Sequence, residues 1–134
     1  MKTALQPADW PRPRGYANGV AAQGRQVFVA GMIGWNAQQQ FDSDDLVDQV
    51  RQALHNVRAV LAEAGAEPQH IVRMTWYLVD RADYLARNRE IGAAYREALG
   101  AHYEIAMSAV EVRGLMEARA KVEIEVTAVV PQAL

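Results

Sequence analysis

The chain has 134 residues, of which 51% are hydrophobic and 22% are charged, and its formal net charge is −2. This length and composition are typical of one globular domain with its own core, and they exclude a disordered chain. The absence of cysteine excludes disulfides and thiolate chemistry, and a negative charge without a basic stripe argues against nucleic acid as a partner.

Residues 1–14 are predicted to form an extended, irregular arm ahead of a single domain at residues 15–134. Three prolines fall between residues 5 and 14, and proline lacks the N–H that regular structure needs. The arm has no apolar run of the roughly 7–15 residues found in secretory signals. No other stretch approaches the ~20 apolar residues that cross a bilayer. We therefore expect a cytoplasmic protein without membrane contact.

Two short apolar runs after the arm predict a β-hairpin. They are separated by Gln23, Gly24 and Arg25, and glycine is favoured in such turns. The second strand, near Gln26 to Ile33, contains Gly31. A glycine inside a strand marks either a bulge or the close approach of a ligand or another backbone.

The segment from Ser43 to Gly65 is predicted to be an amphipathic helix. Ser43 is a favoured N-cap residue, and Gly65 suits the C-terminal cap. Asp44 and Asp45 place negative charge at the positive end of the helix dipole. The apolar stripe, which should cover a sheet, consists of Leu46, Val50, Leu54, Val57, Leu61 and Ala64.

A β-branched and aromatic run at residues 70–80 predicts a strand. A second helix is predicted from Asp83 to Leu99, ending at Gly100, and Asn88 lies on its inner face. Because a polar amide that faces a core needs hydrogen-bond partners, Asn88 either ties the helix to the sheet or lines a cleft. The apolar residues of this inner face are Leu85, Ile91, Tyr95 and Leu99.

Two strands, at residues 103–112 and 118–130, complete the predicted sheet. The last strand alternates cleanly, so Glu123 and Glu125 leave the helix-covered side together, as they would on an ordinary solvated sheet face. The apolar residues of its other face are Val122, Ile124, Val126 and Ala128.

The predicted element order is β-β-α-β-α-β-β, an α+β fold with both helices on one face of a single mixed sheet. Two helices cover only one side. The other side keeps apolar positions such as Val27, Val29, Met107 and Ala109 or their neighbours. We expect other copies of the chain to cover that side in a closed ring.

Few groups in the sequence could carry out chemistry. The three histidines lack the spacing of metal ligands, and no nucleotide-binding or nucleophile-elbow motif is present, so no metal or cofactor is expected. Ser108 has no base near it in the sequence. There remains a carboxylate, Glu123 or Glu125, that could orient or deprotonate a water molecule in a partly apolar cleft.

Several segments between residues 15 and 130 together resemble the RidA/YjgF family of enamine/imine deaminases. They are GYANGV, VFVAGMIG, the helix–turn–strand block containing QALHNVRAVLAEAGA, YLARNREIGAAY, AMSAVEV and AKVEIEVTAVV. The resemblance implies a chorismate-mutase-like fold and a homotrimer with small-molecule clefts at the subunit interfaces. Active members of the family hydrolyse 2-imino acids to 2-keto acids and ammonia.

The resemblance also implies roles for individual residues. Tyr16, Gly31 and Asn88 match residues of the family's cleft, so they are expected to contact the substrate. Glu123 matches the glutamate that positions the attacking water, so it is the expected catalytic residue.

The chain departs from the family pattern at two cleft positions. Met107 stands where the family has the arginine that binds the substrate carboxylate, and Ala109 replaces a small polar or cysteine residue of some members. A bidentate arginine–carboxylate contact contributes about 1.5–3 kcal/mol, which methionine cannot supply. The usual 2-imino acids are therefore not expected as substrates.

Three interpretations are compatible with Met107. Another cation could replace the arginine; the candidates are Arg14, Arg113 and Arg119. Alternatively, the cleft binds a less acidic or more apolar compound, with Met107 as an adaptable wall and Glu123 still activating water. In the third interpretation the protein is a non-catalytic ligand-binding or regulatory trimer. Ribonuclease activity, attributed to some relatives, is disfavoured by the negative net charge.

Overall fold

The computed structural model describes residues 2–132. The elements in chain order are β1 (Lys2–Leu5), β2 (Gly19–Ala22), β3 (Arg25–Ile33), α1 (Leu46–Glu63), a 3₁₀ turn (Pro68–His70), β4 (Ile71–Leu78), α2 (Arg81–Ala86), α3 (Asn88–Leu99), β5 (Ala106–Glu111) and β6 (Val122–Val130). None of the helices in this part of the chain has the length and apolar content needed to cross a bilayer.

The main sheet has four strands in the order β3-β6-β4-β5. Neighbouring strands are antiparallel, except that β4 and β5 are parallel. Helices α1 and α3 pack against each other and share one buried core with this sheet. The predicted α+β class, the mixed sheet and the helices on one face are therefore confirmed.

Strand β6 lies inside the sheet and alternates as predicted. Glu123 is paired with Tyr77, and Glu125 is paired with Thr75, on the face away from the helices. The Tyr77 hydroxyl donates a hydrogen bond to the Glu125 carboxylate at 3.2 Å. The residues that β6 buries against the helices are Val122, Ile124, Val126 and Ala128.

Helix α1 begins later than the sequence predicts. Its N-cap is Asp45, whose carboxylate accepts a hydrogen bond from the Asp48 N–H at 3.2 Å. Ser43 instead accepts from the Asp45 N–H and donates to the Asp48 carboxylate, so it braces the cap from outside the helix. The predicted apolar stripe is buried, apart from the half-buried Ala64 at the C-cap.

The predicted second helix is two helices that meet at Arg87. The Arg87 backbone has φ −119° and ψ 29°, which interrupts the helical path between α2 and α3. Leu85 is 54% exposed, so its predicted place on the inner face is wrong. Ile91, Tyr95 and Leu99 are buried as predicted.

The predicted hairpin between the strands on either side of Gly24 is wrong. Strand β2 pairs with β1, and β3 pairs with β6, beginning with Arg25 opposite Val130. Gly24 has φ +147°, and a Cβ there would lie 2.2 Å from the Val130 carbonyl oxygen. The local sequence therefore encodes the turn correctly, whereas the partner of β3 is set by burial of its apolar face.

The first part of the N-terminal arm is a strand rather than irregular chain. The Lys2 ammonium donates hydrogen bonds to the carbonyls of Gln69 at 3.1 Å and Ile71 at 3.0 Å. Burial lowers the pKa of Lys2. Residues 6–14, which contain the prolines, form neither helix nor strand, as predicted.

The sheet face opposite the helices carries an exposed aromatic side chain. Phe28 is 71% exposed, whereas Val27 and Val29 are 9% and 2% exposed and join the helix-side core. The prediction gave the open face to the two valines or to their neighbours; it is wrong by one residue for the valines and right for their neighbour. Because side chains alternate along a strand, this shift exchanges the two faces and puts Phe28 on the open one.

Gln49 is a buried polar residue that joins α1 to the chain before β6. Its side chain is 1% exposed. Its amide nitrogen donates to the carbonyls of Ser43 at 3.1 Å and Arg119 at 3.0 Å, and its oxygen accepts from the Lys121 N–H at 2.8 Å. All three backbone groups depend on this one side chain.

Replacement of Gln49 by alanine should lower the free energy of unfolding by about 2–4 kcal/mol, because two carbonyls and one N–H in a partly buried place lose a hydrogen-bond partner and the buried side chain leaves a gap. Urea unfolding followed by circular dichroism measures this change. Gln52→Ala on the same helix is the control, since Gln52 is half-buried and, within residues 2–132, its side chain donates only to the Asn56 side chain. Equal losses in the two variants would contradict the role assigned to Gln49.

Candidate functional site

A cleft of about 720 Å³ lies between the edge strand β5, helices α2 and α3, and the chain before β2. Its volume is within the range of roughly 300–1,000 Å³ that small-molecule sites occupy. The residues that line it are Arg14, Gly15, Tyr16, Trp76, Tyr84, Leu85, Asn88, Ile91, Gly92, Tyr95, Arg96, Tyr103, Met107, Ser108 and Ala109.

A short parallel bridge brings the N-terminal chain to the cleft. Ala17 pairs with Ala106, and the Ala17 N–H donates to the Ile105 carbonyl at 2.9 Å. Gly15 has φ +78°, a backbone conformation that glycine adopts readily. Tyr16 is thereby held beside the start of β5, where it lines the cleft and is 43% exposed.

Aromatic side chains form the walls of the cleft. Trp76 meets Tyr84 edge to face at 6.2 Å between ring centroids, and Tyr95 stacks on Tyr103 at 5.4 Å. The Tyr95 hydroxyl donates to the His102 carbonyl. Burial raises the pKa of Tyr84 and of Tyr95, so both phenols stay neutral at physiological pH. These rings provide an apolar surface and no base.

Met107 and Ala109 form the strand side of the cleft. They pair with Met74 and Trp76, whose side chains are buried on the helix side of the sheet. The prediction gave the open face to these two residues or to their neighbours; it is wrong for Met107 and Ala109 themselves and right for the neighbouring Val110, which is 45% exposed. Half-buried Met107 packs against the core and turns an apolar side chain to the cleft.

Asn88, the first residue of α3, is exposed and lines the cleft. Of its two interpretations, the buried tie between helix and sheet is therefore wrong. The helical path breaks at Arg87, directly before Asn88, so Asn88 begins α3 instead of lying within one continuous helix.

Gly31 and Glu123 lie together on the other side of the sheet. A Cβ at Gly31 would be 2.3 Å from the Glu123 carboxylate oxygen Oε2, so only glycine lets this carboxylate lie against β3. Strand β3 also has a register shift between Val29 and Met32. The bulge predicted at Gly31 is therefore confirmed, and its close neighbour is the Glu123 side chain rather than another backbone.

One chain thus brings together only part of the predicted site. Tyr16, Asn88, Met107 and Ala109 meet in the cleft. Glu123 is half-buried on the opposite face of the sheet, outside the cleft lining, and Gly31 accompanies it. Ser108 also lines the cleft, at the edge of β5, and none of its neighbours in the lining is a carboxylate or histidine.

Comparison with known proteins identifies the group of relatives. A family model described as Endoribonuclease L-PSP matches residues 9–130. A RutC family protein from Synechocystis sp. is 34% identical over 129 residues, which cover 95% of each chain. A structure of YyfB from Yersinia pestis, described as a conserved Rid family protein of unknown function, is 32% identical and has a TM-score of 0.80. The match covers 96% of this chain and 98% of that one. The chain belongs to the Rid/YjgF family.

A further Rid/YjgF structure shares the fold. The member of the YjgF/YER057c/UK114 family from Mycobacterium tuberculosis is 30% identical with a TM-score of 0.63, over 97% of this chain and 100% of that one. The family assignment made from the sequence is therefore confirmed. Among residues 2–132 of this Rid protein, no three His, Asp or Glu side chains converge as a metal site would require.

The three arginines proposed as substitutes for the family's arginine have different surroundings in this Rid chain. Arg14 lines the cleft. Arg119 forms an ion pair with Asp44 at 2.9 Å and lies over the Phe41 ring at 5.3 Å, away from the cleft. Arg113 follows β5 and is not part of the cleft lining.

Sequence reasoning missed Arg96 and the aromatic walls. Asn88, Gly92 and Arg96 recur at every fourth residue, a spacing that puts them on one side of a helix. This periodicity was available in the sequence. The aromatic walls could not be predicted from the sequence, because Trp76 and Tyr103 come from separate strand and loop segments that meet only in the folded chain.

Arg87 connects the helical wall of the cleft to the start of α1. Its guanidinium forms ion pairs with Asp45 and, at 2.8 Å, with Glu90. Hydrogen bonds from Arg87 lower the pKa of Asp45 and of Glu90, and the two carboxylates raise the pKa of Arg87. The break between α2 and α3 is therefore held by charge as well as by packing.

Arg87→Gln should make stability less dependent on pH in the acid range. A carboxyl with a lowered folded pKa contributes stability above its unfolded pKa, about 3.9 for Asp, and that contribution is lost as pH falls through the folded pKa. Without Arg87, the folded pKa values of Asp45 and Glu90 move toward their ordinary range. The variant should therefore be less stable at neutral pH and lose less stability between about pH 5 and pH 2.

Urea unfolding at several pH values, followed by tryptophan fluorescence, measures this effect. Arg89→Gln is the matched control, because Arg89 is exposed and has no ion pair among the described residues. The same pH profile for Arg87→Gln and the native chain would refute the assignment.

Proposed function

We propose that this Rid protein is a cytoplasmic homotrimer that hydrolyses an imine, enamine or related carbonyl compound other than the usual 2-imino acids. The observation that carries the proposal is the combination of two features. The Gly31–Glu123 pair is retained with its close contact, while Met107 presents a thioether where the resemblance predicts an arginine.

A second copy of the chain is needed to complete the proposed site. Glu123 and Met107 lie on opposite faces of the same sheet, so the carboxylate of one chain cannot reach its own cleft. A neighbouring copy could place its Glu123 against the cleft of the first. The exposed ring of Phe28 on the Glu123 face supports burial of that face in an assembly.

The proposed reaction needs one proton acceptor and no cofactor. The Glu123 carboxylate accepts a proton from water as the water oxygen bonds to the carbon of the C=N group. The nitrogen takes up the proton, giving a carbinolamine. The hydroxyl proton of the carbinolamine then passes to the nitrogen, and the C–N bond breaks with its electrons on nitrogen, so that C=NH and H₂O become C=O and NH₃.

Met107 determines which imines the proposed site excludes. A 2-imino acid carries its carboxylate directly on the reacting carbon, where it would meet a side chain with no hydrogen-bond donor. The lost arginine contact corresponds to about one to two decades of affinity. Met107 and the tyrosine rings instead favour an apolar group next to the reacting carbon.

Two imines, each generated in the assay by an oxidase, test the proposal. An amino-acid oxidase converts alanine to 2-iminopropanoate, and a flavin-dependent amine oxidase converts benzylamine to phenylmethanimine. Ammonia release is followed with and without the Rid protein. We expect acceleration with phenylmethanimine and none with 2-iminopropanoate. Brisk hydrolysis of 2-iminopropanoate would contradict the role of Met107.

A non-catalytic binding trimer is the second candidate. The observation that favours it is a cleft with aromatic walls and no carboxylate or histidine in its described lining. Binding of aromatic compounds without acceleration of either imine would support this candidate, as would an unchanged ammonia rate in Glu123→Gln. RNA cleavage abolished by a single cleft substitution would instead support the activity named in the family description.

A further inference from the structure

Two arginine side chains, Arg14 and Arg96, lie among the aromatic residues of the cleft. The described lining contains no aspartate or glutamate. Neither arginine forms an ion pair with any residue in the described part of the chain. The cleft therefore concentrates positive charge, although the whole chain has a net charge of −2.

Several other arginines of the protein already have partners, whereas Arg89 is exposed and has no ion pair in the described part of the chain. Arg51 and Arg87 form ion pairs with carboxylates. Arg25 and Arg58 donate to backbone carbonyls at 2.6 Å and 2.8 Å. A guanidinium that borders a cleft with its donors open is suited to bind the carboxylate of a ligand.

The Arg96 guanidinium lies over Gly92. A Cβ at Gly92 would be 3.3 Å from Arg96 Nη1. The Arg96 side chain therefore folds back along α3 toward the N-terminus of the helix, as helical side chains do. Asn88, one turn before Gly92, lines the same wall. Along the cleft, successive turns of α3 therefore carry the amide of Asn88, the glycine at position 92 and the guanidinium of Arg96.

We infer that the cleft binds an amphipathic anion, with its carboxylate on Arg96 assisted by Arg14 and its apolar, aromatic body between the tyrosine rings and Met107. Arg96 comes from α3, whereas Met107 comes from β5, so the carboxylate and the group beside Met107 occupy different walls.

This inference specifies the substrate class and rests on the proposed function for the position of the reacting carbon. That carbon would lie beside Met107, within reach of Glu123 from a neighbouring copy. The substrate is then an imine, enamine or carbonyl compound whose carboxylate is separated from the reacting carbon by an apolar body. In a 2-imino acid the two groups are adjacent, and Arg96 cannot serve it.

Calorimetric titration of the whole protein with two probes tests the inference. The probes are 3-phenylpropanoate and its neutral analogue 3-phenylpropanamide. We expect the acid to bind about tenfold more tightly than the amide, and its advantage to shrink between about 50 mM and 500 mM salt. Arg96→Gln should remove that advantage and leave the affinity for the amide within about twofold. Arg14→Gln should reduce the preference for the acid over the amide by a smaller factor.

Arg89→Gln is the matched control, because Arg89 is an exposed arginine of the same helix outside the cleft lining. It removes the same charge and should leave both affinities unchanged. Arg96→Lys keeps the positive charge but lacks the two parallel N–H donors of the guanidinium, so it should retain part of the preference for the acid over the amide.

Equal affinity for acid and amide in the native protein, or no measurable binding of either, would overturn the inference. An equal loss in Arg89→Gln and Arg96→Gln would also overturn it, because the effect would then be one of overall charge. Arg96-dependent binding without hydrolysis of phenylmethanimine would uphold the inference and reject the proposed hydrolase. Hydrolysis without any preference for the acid would do the reverse.

Discussion

Glu123→Gln should lower the rate constant for phenylmethanimine hydrolysis by about 10²–10⁴-fold, the usual contribution of a general base. Glutamine has nearly the same shape but cannot accept a proton from the attacking water. The loss should fall on kcat, with KM changed little, because Glu123 lies outside the cleft lining that would hold the apolar body. Ammonia release at saturating imine measures it.

Glu125→Gln is the control for this prediction. Glu125 is on the same strand and the same face, and it accepts a hydrogen bond from Tyr77. Its replacement should change kcat by less than about threefold, since it has no proton-transfer role in the proposed reaction. A native kcat in Glu123→Gln, or equal losses in the two variants, would contradict the assignment.

Mixed assemblies test whether Glu123 acts on a neighbouring copy. Ala109→Trp should fill the cleft, while Glu123→Gln leaves the cleft intact, so each variant alone should be inactive. When equal amounts are unfolded and refolded together, about a quarter of the sites would combine an intact cleft with an intact Glu123 from the next copy. Activity near that fraction is expected. A mixture as inactive as its components would place the whole site within one chain.

Most of the fold was predictable because its elements have strong periodic patterns. The alternation of β6 and the stripe of α1 place the buried residues correctly. The errors occur where pairing depends on distant segments. Both Val27 and Phe28 are apolar, so the sequence of β3 is compatible with burial of either one. Only the contact with α1 and β6 decides which of them is buried.

The strand residues of the site could be predicted from the sequence, whereas the prediction of its helical residues was incomplete. Met107 and Glu123 come from segments with specific family patterns, so their importance follows from the sequence. Their separation by the sheet required the strand register. The Arg96 guanidinium lies over Gly92, and the helix breaks at Arg87; neither arrangement follows from the preference of a single residue.

The identity of residue 107 should control the choice between 2-imino acids and other imines. Met107→Arg should raise the rate of 2-iminopropanoate hydrolysis at low substrate by about 10–100-fold, which corresponds to the charged contact that methionine lacks. Met107→Leu preserves volume without a donor and should have no such effect. An inactive but folded Met107→Arg protein would contradict the assignment of this position.

The cleft arginines should oppose that gain, and this provides a sharper test. A guanidinium at position 107 would share a cleft with Arg14 and Arg96, which lack acidic partners among residues 2–132. Because like charges repel each other, the double variant Met107→Arg, Arg96→Gln should hydrolyse 2-iminopropanoate several-fold faster than Met107→Arg alone. Adding Arg89→Gln instead should give no such increase. Equal rates for the two double variants would mean that Arg96 and position 107 do not act on the same cleft.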